Sequence, residues 1–191
     1  MVSRYEASGK RLIDVSLASA LLLLTSPILA GTAVAIWIED RKSALFRQPR
    51  VGQHGEPFTL VKFRSMRVDT ATVSSTEASQ AWVTRVGRVI RRTSIDELPQ
   101  LWCVLRGDMS LVGPRPALPT QTDLIRLRQL GGADAVKPGM TGLAQLRAYD
   151  NMTDQEKAGH DGEYAAHVSV VSDLRILLGT FAYVLRKPPT Y

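Results

Sequence analysis

SIDELPQLWCVLRGDMSLVGPRP, residues 94–116, is the stretch of this sequence that decides its fold. Asp96 and Glu97 form a pair of adjacent carboxylates ahead of a short apolar segment that is predicted to be helical. Arg115 follows in a Gly-Pro-Arg-Pro turn, and a pair of arginines precedes the stretch. Carboxylates can hold a divalent cation or attack phosphorus, and guanidinium groups bind phosphate oxygens. The pattern therefore indicates phosphoryl chemistry.

The carboxylate pair also has a purely structural interpretation. Ser94 and Glu97 have the spacing of a capping box, and the helix dipole favours acidic side chains in a first turn. Counted from Ser94, however, Pro99 would occupy a position where its missing N–H is needed, whereas a helix that starts at Asp96 tolerates it. In both cases the carboxylates would lie beside free backbone amides. This placement predicts lowered pKa values and a phosphate-binding position.

A long apolar run lies near the N-terminus. Residues 15–38 carry no charged side chain, and about 20 such residues suffice to span a bilayer, so a single transmembrane helix is one interpretation. Ser26-Pro27 lies in the middle of the run, where proline removes a backbone donor and predicts a kink or a break. Positive charges flank the run on both sides, so the positive-inside rule places both ends in the cytoplasm. A helix-break-helix that enters and leaves the same leaflet is the second interpretation.

Basic residues are concentrated in two segments ahead of the carboxylates. Phe58–Phe63 has strand composition, and Lys62 and Arg64 at its end are either a solvated basic edge or groups that contact phosphate or lipid headgroups. Trp82–Arg92 is predicted to be a short basic helix with its apolar positions on one face, as in helices that lie on anionic membranes. Residues 68–81, rich in Ser, Thr and Ala, are predicted to form a loop.

Three further helices are predicted in the second half of the chain. Residues 122–130 have an amphipathic pattern, and residues 153–167 begin with the capping-box spacing of Thr153 and Glu156. Residues 173–187 are strongly apolar, but a helix of this length rises only about 22 Å and is too short to span a bilayer comfortably. We expect it to pack on the core or to lie in the membrane interface.

The quoted stretch, taken with two other segments, resembles the signature of the bacterial sugar transferases. These monotopic phosphoglycosyl transferases move a sugar-1-phosphate from a nucleotide sugar to polyprenyl phosphate. The other matching segments are KFRSM at residues 62–66 and VKPGMTGLAQ at residues 136–145. The chain departs from the family pattern at Pro49, Cys103 and Leu143, where glutamate, asparagine and tryptophan respectively are usual.

The resemblance implies a role for each candidate site residue. Asp96 would be the nucleophile that attacks phosphorus, and Glu97 would place a Mg²⁺ ion or steer a proton, so both carboxylates are candidate metal ligands. The candidate phosphate-binding residues are Arg88, Arg115, Lys62 and Arg64. Arg91 and Arg92 are assigned mainly to the membrane surface. A structural ion pair with Asp108 is the alternative for Arg115.

The resemblance also implies an architecture, that of an α+β monotopic membrane protein with interfacial amphipathic helices and a small strand element. Residues 1–40 would carry a re-entrant membrane helix broken at Ser26-Pro27. Residues 41–191 would form a catalytic domain on the cytoplasmic face of the bacterial inner membrane. A UDP-sugar and polyprenyl (undecaprenyl) phosphate would meet there at the level of the lipid headgroups. The sequence leaves open which sugar is transferred and whether the chain forms a homodimer.

Composition limits the rival functions. A net charge of +6 and a pI near 9.8 predict an anionic partner, which could be membrane lipid, nucleic acid or a phosphorylated substrate. Nucleic-acid binding is disfavoured because the basic residues are scattered and no recognised motif is present. Cys103 is the single cysteine, which excludes an internal disulfide, and its apolar neighbours predict a core position. The remaining rival is a non-catalytic basic scaffold on the membrane surface, in which Asp96-Glu97 is only a helix cap.

Overall fold

The structure, a computed structural model, describes residues 5, 9–67, 82–147 and 152–186. Its helices and strands follow one another as α1 Lys10–Asp40, β1 Leu45–Val51, β2 Pro57–Phe63, α2 Arg85–Arg92, α3 Gln100–Arg106, β3 Ser110–Val112, α4 Thr122–Leu130, β4 Gly139–Thr141, α5 Leu143–Arg147, α6 Asp154–Ala166 and α7 Val170–Arg186. The prediction of an α+β fold with a small strand content is confirmed. The loop predicted over 68–81 lies outside the described residues.

Two small sheets support the functional stretch. β1 and β2 form an antiparallel hairpin in which Leu45 pairs with Phe63, so the predicted strand at Phe58–Phe63 is confirmed. β3 and β4 pair in parallel. A Cβ atom at Gly139 would lie 2.1 Å from the backbone nitrogen of Gly113. Only glycine therefore fits at this point, where the two chain segments approach each other closely.

The core is built around α3, which packs against α1, β2 and β3. Leu101, Cys103 and Val104 of α3 are almost completely buried, together with Met109 and Val112 just beyond it. The predicted core position of Cys103 is therefore confirmed. The apolar face of α3 buries the residues that follow the two carboxylates, and so fixes the position of the segment that carries them.

The helices predicted in the second half of the chain are confirmed. α4 spans the predicted residues 122–130, and α6 begins with a capping box in which Thr153 and Glu156 exchange hydrogen bonds. α7 starts at Val170, three residues before the predicted start at Asp173. The predicted basic helix starts at Arg85, because Thr84 accepts a hydrogen bond from the backbone of Gly87 and caps it there.

Of the kink or break predicted at Ser26-Pro27, the break is wrong, because Lys10–Asp40 is one helix that contains Pro27. The kink stays a prediction. Proline has no N–H, so the carbonyl of Leu23 loses the hydrogen bond that residue 27 would normally donate. The Ser26 hydroxyl donates to that same carbonyl at 2.8 Å. Ser26 thus satisfies the acceptor that Pro27 leaves open, which explains why the helix continues. By length and composition α1 could cross a membrane.

Both ends of α1 contact the same folded body. Arg11 donates to two carbonyls in the last turn of α3, at 2.6 and 2.8 Å, and Asp14 accepts from the backbone N–H of Leu111 in β3 at 3.0 Å. At the other end, Glu39 accepts the first two backbone N–H groups of α2 at 2.8 and 3.0 Å. The middle of the helix between these contacts carries exposed apolar side chains, among them Leu23, Leu24 and Ile28.

A buried polar network ties the start of α1 to α6 and α7. Asp173 of α7 is 5% exposed and accepts three hydrogen bonds. The donors are Lys10 Nζ at 2.6 Å, Tyr5 Oη at 2.6 Å and Tyr164 Oη at 2.7 Å. One carboxylate therefore holds three separate segments of the chain together.

Candidate active site

The two carboxylates lie in a short 3₁₀ turn, Ile95–Glu97, immediately before α3. Ser94 has a left-handed backbone, with φ 55° and ψ 17°, and its side chain makes no capping hydrogen bond. The capping box predicted for Ser94 and Glu97 is therefore not formed. α3 begins only at Gln100, because Pro99 takes the N-cap position, where no backbone donor is needed. The carboxylates are thus not used to cap the helix.

Asp96 is a buried carboxylate, with 7% of its surface exposed. Burial, together with the neighbouring charge of Glu97, raises the pKa of Asp96 to about 6, although Lys62, Arg91 and Arg115 act in the opposite direction. The prediction that free backbone amides lower its pKa is wrong, because loss of hydration outweighs the surrounding positive charge. Asp96 is nevertheless mostly ionised at neutral pH.

Glu97 lies against Arg115, with 2.7 Å between its Oε1 and Arg115 Nη2. Burial alone would raise the pKa of Glu97, but Arg115, Lys62 and Arg50 outweigh it and lower that pKa. The predicted direction is thus confirmed for Glu97, although the cause is the cations. The alternative pairing of Arg115 with Asp108 is wrong, because Asp108 forms its ion pair with Arg106.

The Gly-Pro-Arg-Pro turn is held from both sides by two arginines that were not among the predicted site residues. Arg128 of α4 donates to the carbonyl of Arg115 at 2.9 Å and forms a buried ion pair with Asp161 of α6. Arg50 of β1 donates to the carbonyl of Pro116 at 2.9 Å. One feature of the sequence could have identified Arg50. It follows Pro49 and directly precedes Val51-Gly52, where β1 ends.

A cationic cleft opens beside Glu97. Arg50, Lys62 and Arg115 line it together with Gln100. Burial lowers the pKa of Lys62, with Asp96 and Glu97 opposing that change, and burial lowers the pKa of Arg50 to about 10. With Arg91 included, four cationic side chains act on the two carboxylates, so the net charge of these six groups is +2. This excess predicts an anionic ligand.

The structure places Arg91 rather than Arg88 beside Asp96 and Glu97, the carboxylate dyad. Arg91 is 8% exposed, donates from Nε to Ser65 Oγ at 2.8 Å and acts on the charge of Asp96. Arg88 is exposed on the same helix, and Arg64 is half-buried at the end of β2. Neither is among the cations that act most on the two carboxylates. The phosphate-binding roles assigned to Arg88 and Arg64 stay predictions, and the geometry brings only Lys62 and Arg115 of that set to the site.

The donor chemistry of Asp96 and Glu97 is compatible with Mg²⁺, although two carboxylates alone do not complete its coordination. In the part of the chain that the structure describes, no group of three or more His, Cys, Asp or Glu side chains comes together. Mg²⁺ is usually held by one or two carboxylates, with water and substrate phosphates as the other ligands. The oxygen donors of Asp96 and Glu97 are of the type that Mg²⁺ prefers, and the adjacent cations would hold the phosphates that supply the rest.

A buried aspartate beside a second carboxylate, with cations around both, is an arrangement suited to an anionic ligand. Sequence comparison identifies the family: the chain belongs to the bacterial sugar transferases, which it matches over residues 5–187. The predicted family and the prediction of a transferase are confirmed.

Curated relatives support the same family. The chain is 41% identical to the UDP-glucose:undecaprenyl-phosphate glucose-1-phosphate transferase of Caulobacter vibrioides, over 95% of this chain and 72% of that protein. It is 40% identical to an uncharacterised sugar transferase of Bacillus subtilis, over 92% of this chain and 87% of that protein. The match to the Escherichia coli UDP-glucose:undecaprenyl-phosphate glucose-1-phosphate transferase, at 40% identity, covers 90% of this chain but only 39% of that protein.

Proposed function

We propose that this chain transfers a sugar-1-phosphate from a UDP-sugar to polyprenyl phosphate and releases UMP, as the first membrane step in the synthesis of a glycoconjugate. The observation that carries the proposal is the buried Asp96 beside the half-buried Glu97, with cations around both. Several relatives named as undecaprenyl-phosphate sugar-phosphate transferases support the choice of donor and acceptor.

The transfer takes place in two displacements at one phosphorus atom. In the first, a carboxylate oxygen of Asp96 attacks the phosphorus bound to the sugar, an O–P bond forms, and the bond to the UMP oxygen breaks. In the second, a phosphate oxygen of the polyprenyl phosphate attacks the same phosphorus. The bond to Asp96 then breaks, and the carboxylate is regenerated as the lipid-linked diphosphate forms. No net proton is taken up in either step when the attacking oxygens are ionised.

The residues around Asp96 hold and neutralise phosphate oxygens. Lys62, Arg91 and Arg115 lie where they can balance charge on the transferred phosphoryl group, which is the main task of a protein in phosphoryl transfer. Asp96 and Glu97 would hold Mg²⁺, which supplies further charge neutralisation when it is bound. Glu97 also keeps Arg115 in position through their ion pair.

Substitution of Arg91 and Arg88 on the same helix distinguishes a site arginine from a surface arginine. We expect Arg91→Gln to lower kcat/KM for the UDP-sugar by about 10²-fold or more, because a positioned cation beside the nucleophile is lost. Arg88→Gln, the matched control, is expected to change it by less than about threefold. Steady-state UMP release measures both. A larger loss in Arg88→Gln than in Arg91→Gln would overturn this assignment.

The pH dependence of the first displacement follows from the raised pKa of Asp96. Because that pKa is about 6, the attacking carboxylate becomes protonated as the pH falls through 6, whereas the lowered pKa of Glu97 keeps it ionised there. We expect kcat/KM for the UDP-sugar to fall by about tenfold per pH unit below 6 and to be level above pH 7. UMP release measured from pH 5 to pH 8, with circular dichroism as a folding control, tests this; a flat profile contradicts it.

We also propose that α1 bends at Pro27, so that it enters and leaves the same leaflet, and that the chain works at the cytoplasmic face of the bacterial inner membrane. A straight helix of 31 residues rises about 46 Å, more than a bilayer core of about 30 Å, so a spanning helix would separate its ends. Contacts of Arg11 and Glu39 with the same folded body support re-entry instead. Gly9→Cys and Ser43→Cys, each made in a Cys103→Ala background, should both react with an impermeant maleimide in inside-out vesicles. Labelling from opposite sides would establish a spanning helix.

The proposed reaction is tested with purified enzyme, undecaprenyl phosphate and a panel of UDP-glucose, UDP-galactose and UDP-N-acetyl sugars. We expect one donor to give UMP together with a lipid-linked sugar diphosphate, and we expect EDTA to stop the reaction and Mg²⁺ to restore it. Absence of both products with every donor, from folded protein, would favour the non-catalytic scaffold. Activity that persists in EDTA would exclude the role proposed for Mg²⁺.

A further inference from the structure

A second cleft, distinct in character from the cationic one, also reaches Glu97. It encloses about 960 Å³, including its open mouth. Its apolar lining residues come from α1, α3 and the turn before it, β3, β4, α5 and α7. They are Leu21, Leu98, Leu101, Leu111, Met140, Leu146, Leu177 and Val184.

The polar groups of this cleft do not suit a nucleotide. None of its described lining residues is cationic, and Glu97 is its one charged residue. Two hydroxyls in its wall are already used, since Thr141 and Thr180 hydrogen-bond each other at 2.6 Å and Thr180 also donates to the Ile176 carbonyl at 2.8 Å. A diphosphate would meet no positive charge along this wall. An apolar chain would meet a wall of matching character.

The mouth of the cleft continues into the exposed apolar surface of the protein. Leu21 of α1 is 41% exposed and Val184 of α7 is 39% exposed, and both line the cleft. α7 divides its apolar residues between two faces: Leu177 and Val184 point into the cleft, whereas Leu178 and Phe181 are 68% and 66% exposed. A chain that leaves the cleft between α1 and α7 therefore stays in contact with apolar surface.

We propose that this cleft between α1 and α7 binds the phosphate-proximal part of the acceptor's apolar chain, so that the acceptor reaches Glu97 through a different cleft from the nucleotide. The inference rests on the proposed function. Glu97 is the residue common to the two clefts, so the acceptor phosphate would arrive beside the dyad while the diphosphate of the donor lies among Arg50, Lys62 and Arg115. Leu177 and Met140 are then acceptor-binding residues.

Photocrosslinking tests the location of the acceptor independently of turnover. The probe is a short polyprenyl phosphate with a diazirine in its second isoprene unit, added to the full-length protein in detergent. We expect crosslinks on the peptides that contain Met140 or Leu177, competed by undecaprenyl phosphate. Leu177→Trp, which fills the cleft, should lower their yield by about tenfold, and Leu178→Trp on the exposed face of α7 should not. Should Leu177→Trp fail to fold, Val184→Trp at the mouth makes the same test.

Kinetics complete the test. In folded cleft variants we expect the KM for undecaprenyl phosphate to rise by about tenfold while the KM for the UDP-sugar stays within about twofold. Crosslinks confined to the exposed faces of α1 and α7, or an equal rise in both KM values, would overturn the proposal. Crosslinks in the cleft of a protein that turns over no donor would support the acceptor site and count against the proposed reaction instead.

Discussion

Asp96→Asn is expected to abolish UMP release and, at the same time, to stabilise the folded protein. Activity should fall by about 10⁴-fold or more, because the substitution replaces the anionic carboxylate by a neutral amide, which is a poor nucleophile. Stability should rise because Asp96 is 7% exposed and its pKa is raised to about 6 from an ordinary value of 3.8. A pKa difference of about 2 corresponds to about 3 kcal/mol of stability that the folded protein loses by holding Asp96 ionised. We expect Asp96→Asn to raise the free energy of unfolding by about 1–3 kcal/mol at pH 7.

The pH dependence of this gain has a definite sign. The folded protein binds the proton of Asp96 more tightly than the unfolded chain does, so the contribution of Asp96 to stability is present below about pH 4 and is lost as the pH rises through 6. The advantage of Asp96→Asn should therefore be full above pH 7 and disappear near pH 4. Denaturant unfolding in detergent at the two pH values measures it.

Glu97→Gln is the matched control for Asp96→Asn. The pKa of Glu97 is lowered by its cationic neighbours, so its negative charge favours the folded state and its removal should destabilise the protein. Two adjacent carboxylates are thus expected to give stability changes of opposite sign. Destabilisation by Asp96→Asn, or substantial residual activity in it, would contradict the account of a buried nucleophile.

Asp173→Asn is expected to have the largest effect on stability, a loss of about 3–5 kcal/mol in the free energy of unfolding. The side-chain amide can replace only part of the acceptor capacity used by Lys10, Tyr5 and Tyr164. Lys10, whose side chain is 13% exposed, would be left as a poorly paired buried charge. Because Asp173 joins the starts of α1 and α7, the acceptor cleft between these helices should also become less ordered.

Glu163→Gln provides the control for the loss of an ion pair at the surface. Glu163 pairs with Arg147 through side chains that are 45% and 46% exposed, so its loss should cost less than about 1 kcal/mol. Denaturant unfolding of both variants in the same detergent gives the comparison. A cost for Asp173→Asn as small as that for Glu163→Gln would show that the network does not hold the helices together.

The local structure of the chain was largely predictable from sequence. The apolar segment after the dyad becomes α3, the amphipathic residues 122–130 become α4, and the capping box at Thr153 forms as its spacing indicates. These features depend on neighbours within a few residues, which a sequence displays directly. The capping box at Ser94 failed because Pro99 delays the start of α3 and Ser94 turns into the left-handed region.

The electrostatics of the site were not predictable in the same way. The raised pKa of Asp96 depends on burial by distant parts of the chain, and the choice of Arg91 over Arg88 depends on which face of α2 packs towards Ser65. Arg50 reaches the Gly-Pro-Arg-Pro turn across 66 residues of sequence. At Pro27, the sequence indicated a kink or a break because proline lacks the N–H of a helical residue. The compensating hydrogen bond from Ser26 depends on a side-chain conformation that spacing alone does not specify.

Intact mass of the detergent-solubilised protein, incubated with Mg²⁺ and the UDP-sugar panel but no acceptor, tests the role of Asp96 most directly. We predict that wild type gains the mass of one phosphosugar with release of UMP, that Asp96→Asn gains nothing, and that undecaprenyl phosphate removes the adduct. UMP release that requires the acceptor, with no adduct on wild type under any condition, would contradict the covalent intermediate while keeping the enzyme. An adduct of equal yield on Asp96→Asn would show that another residue is the nucleophile.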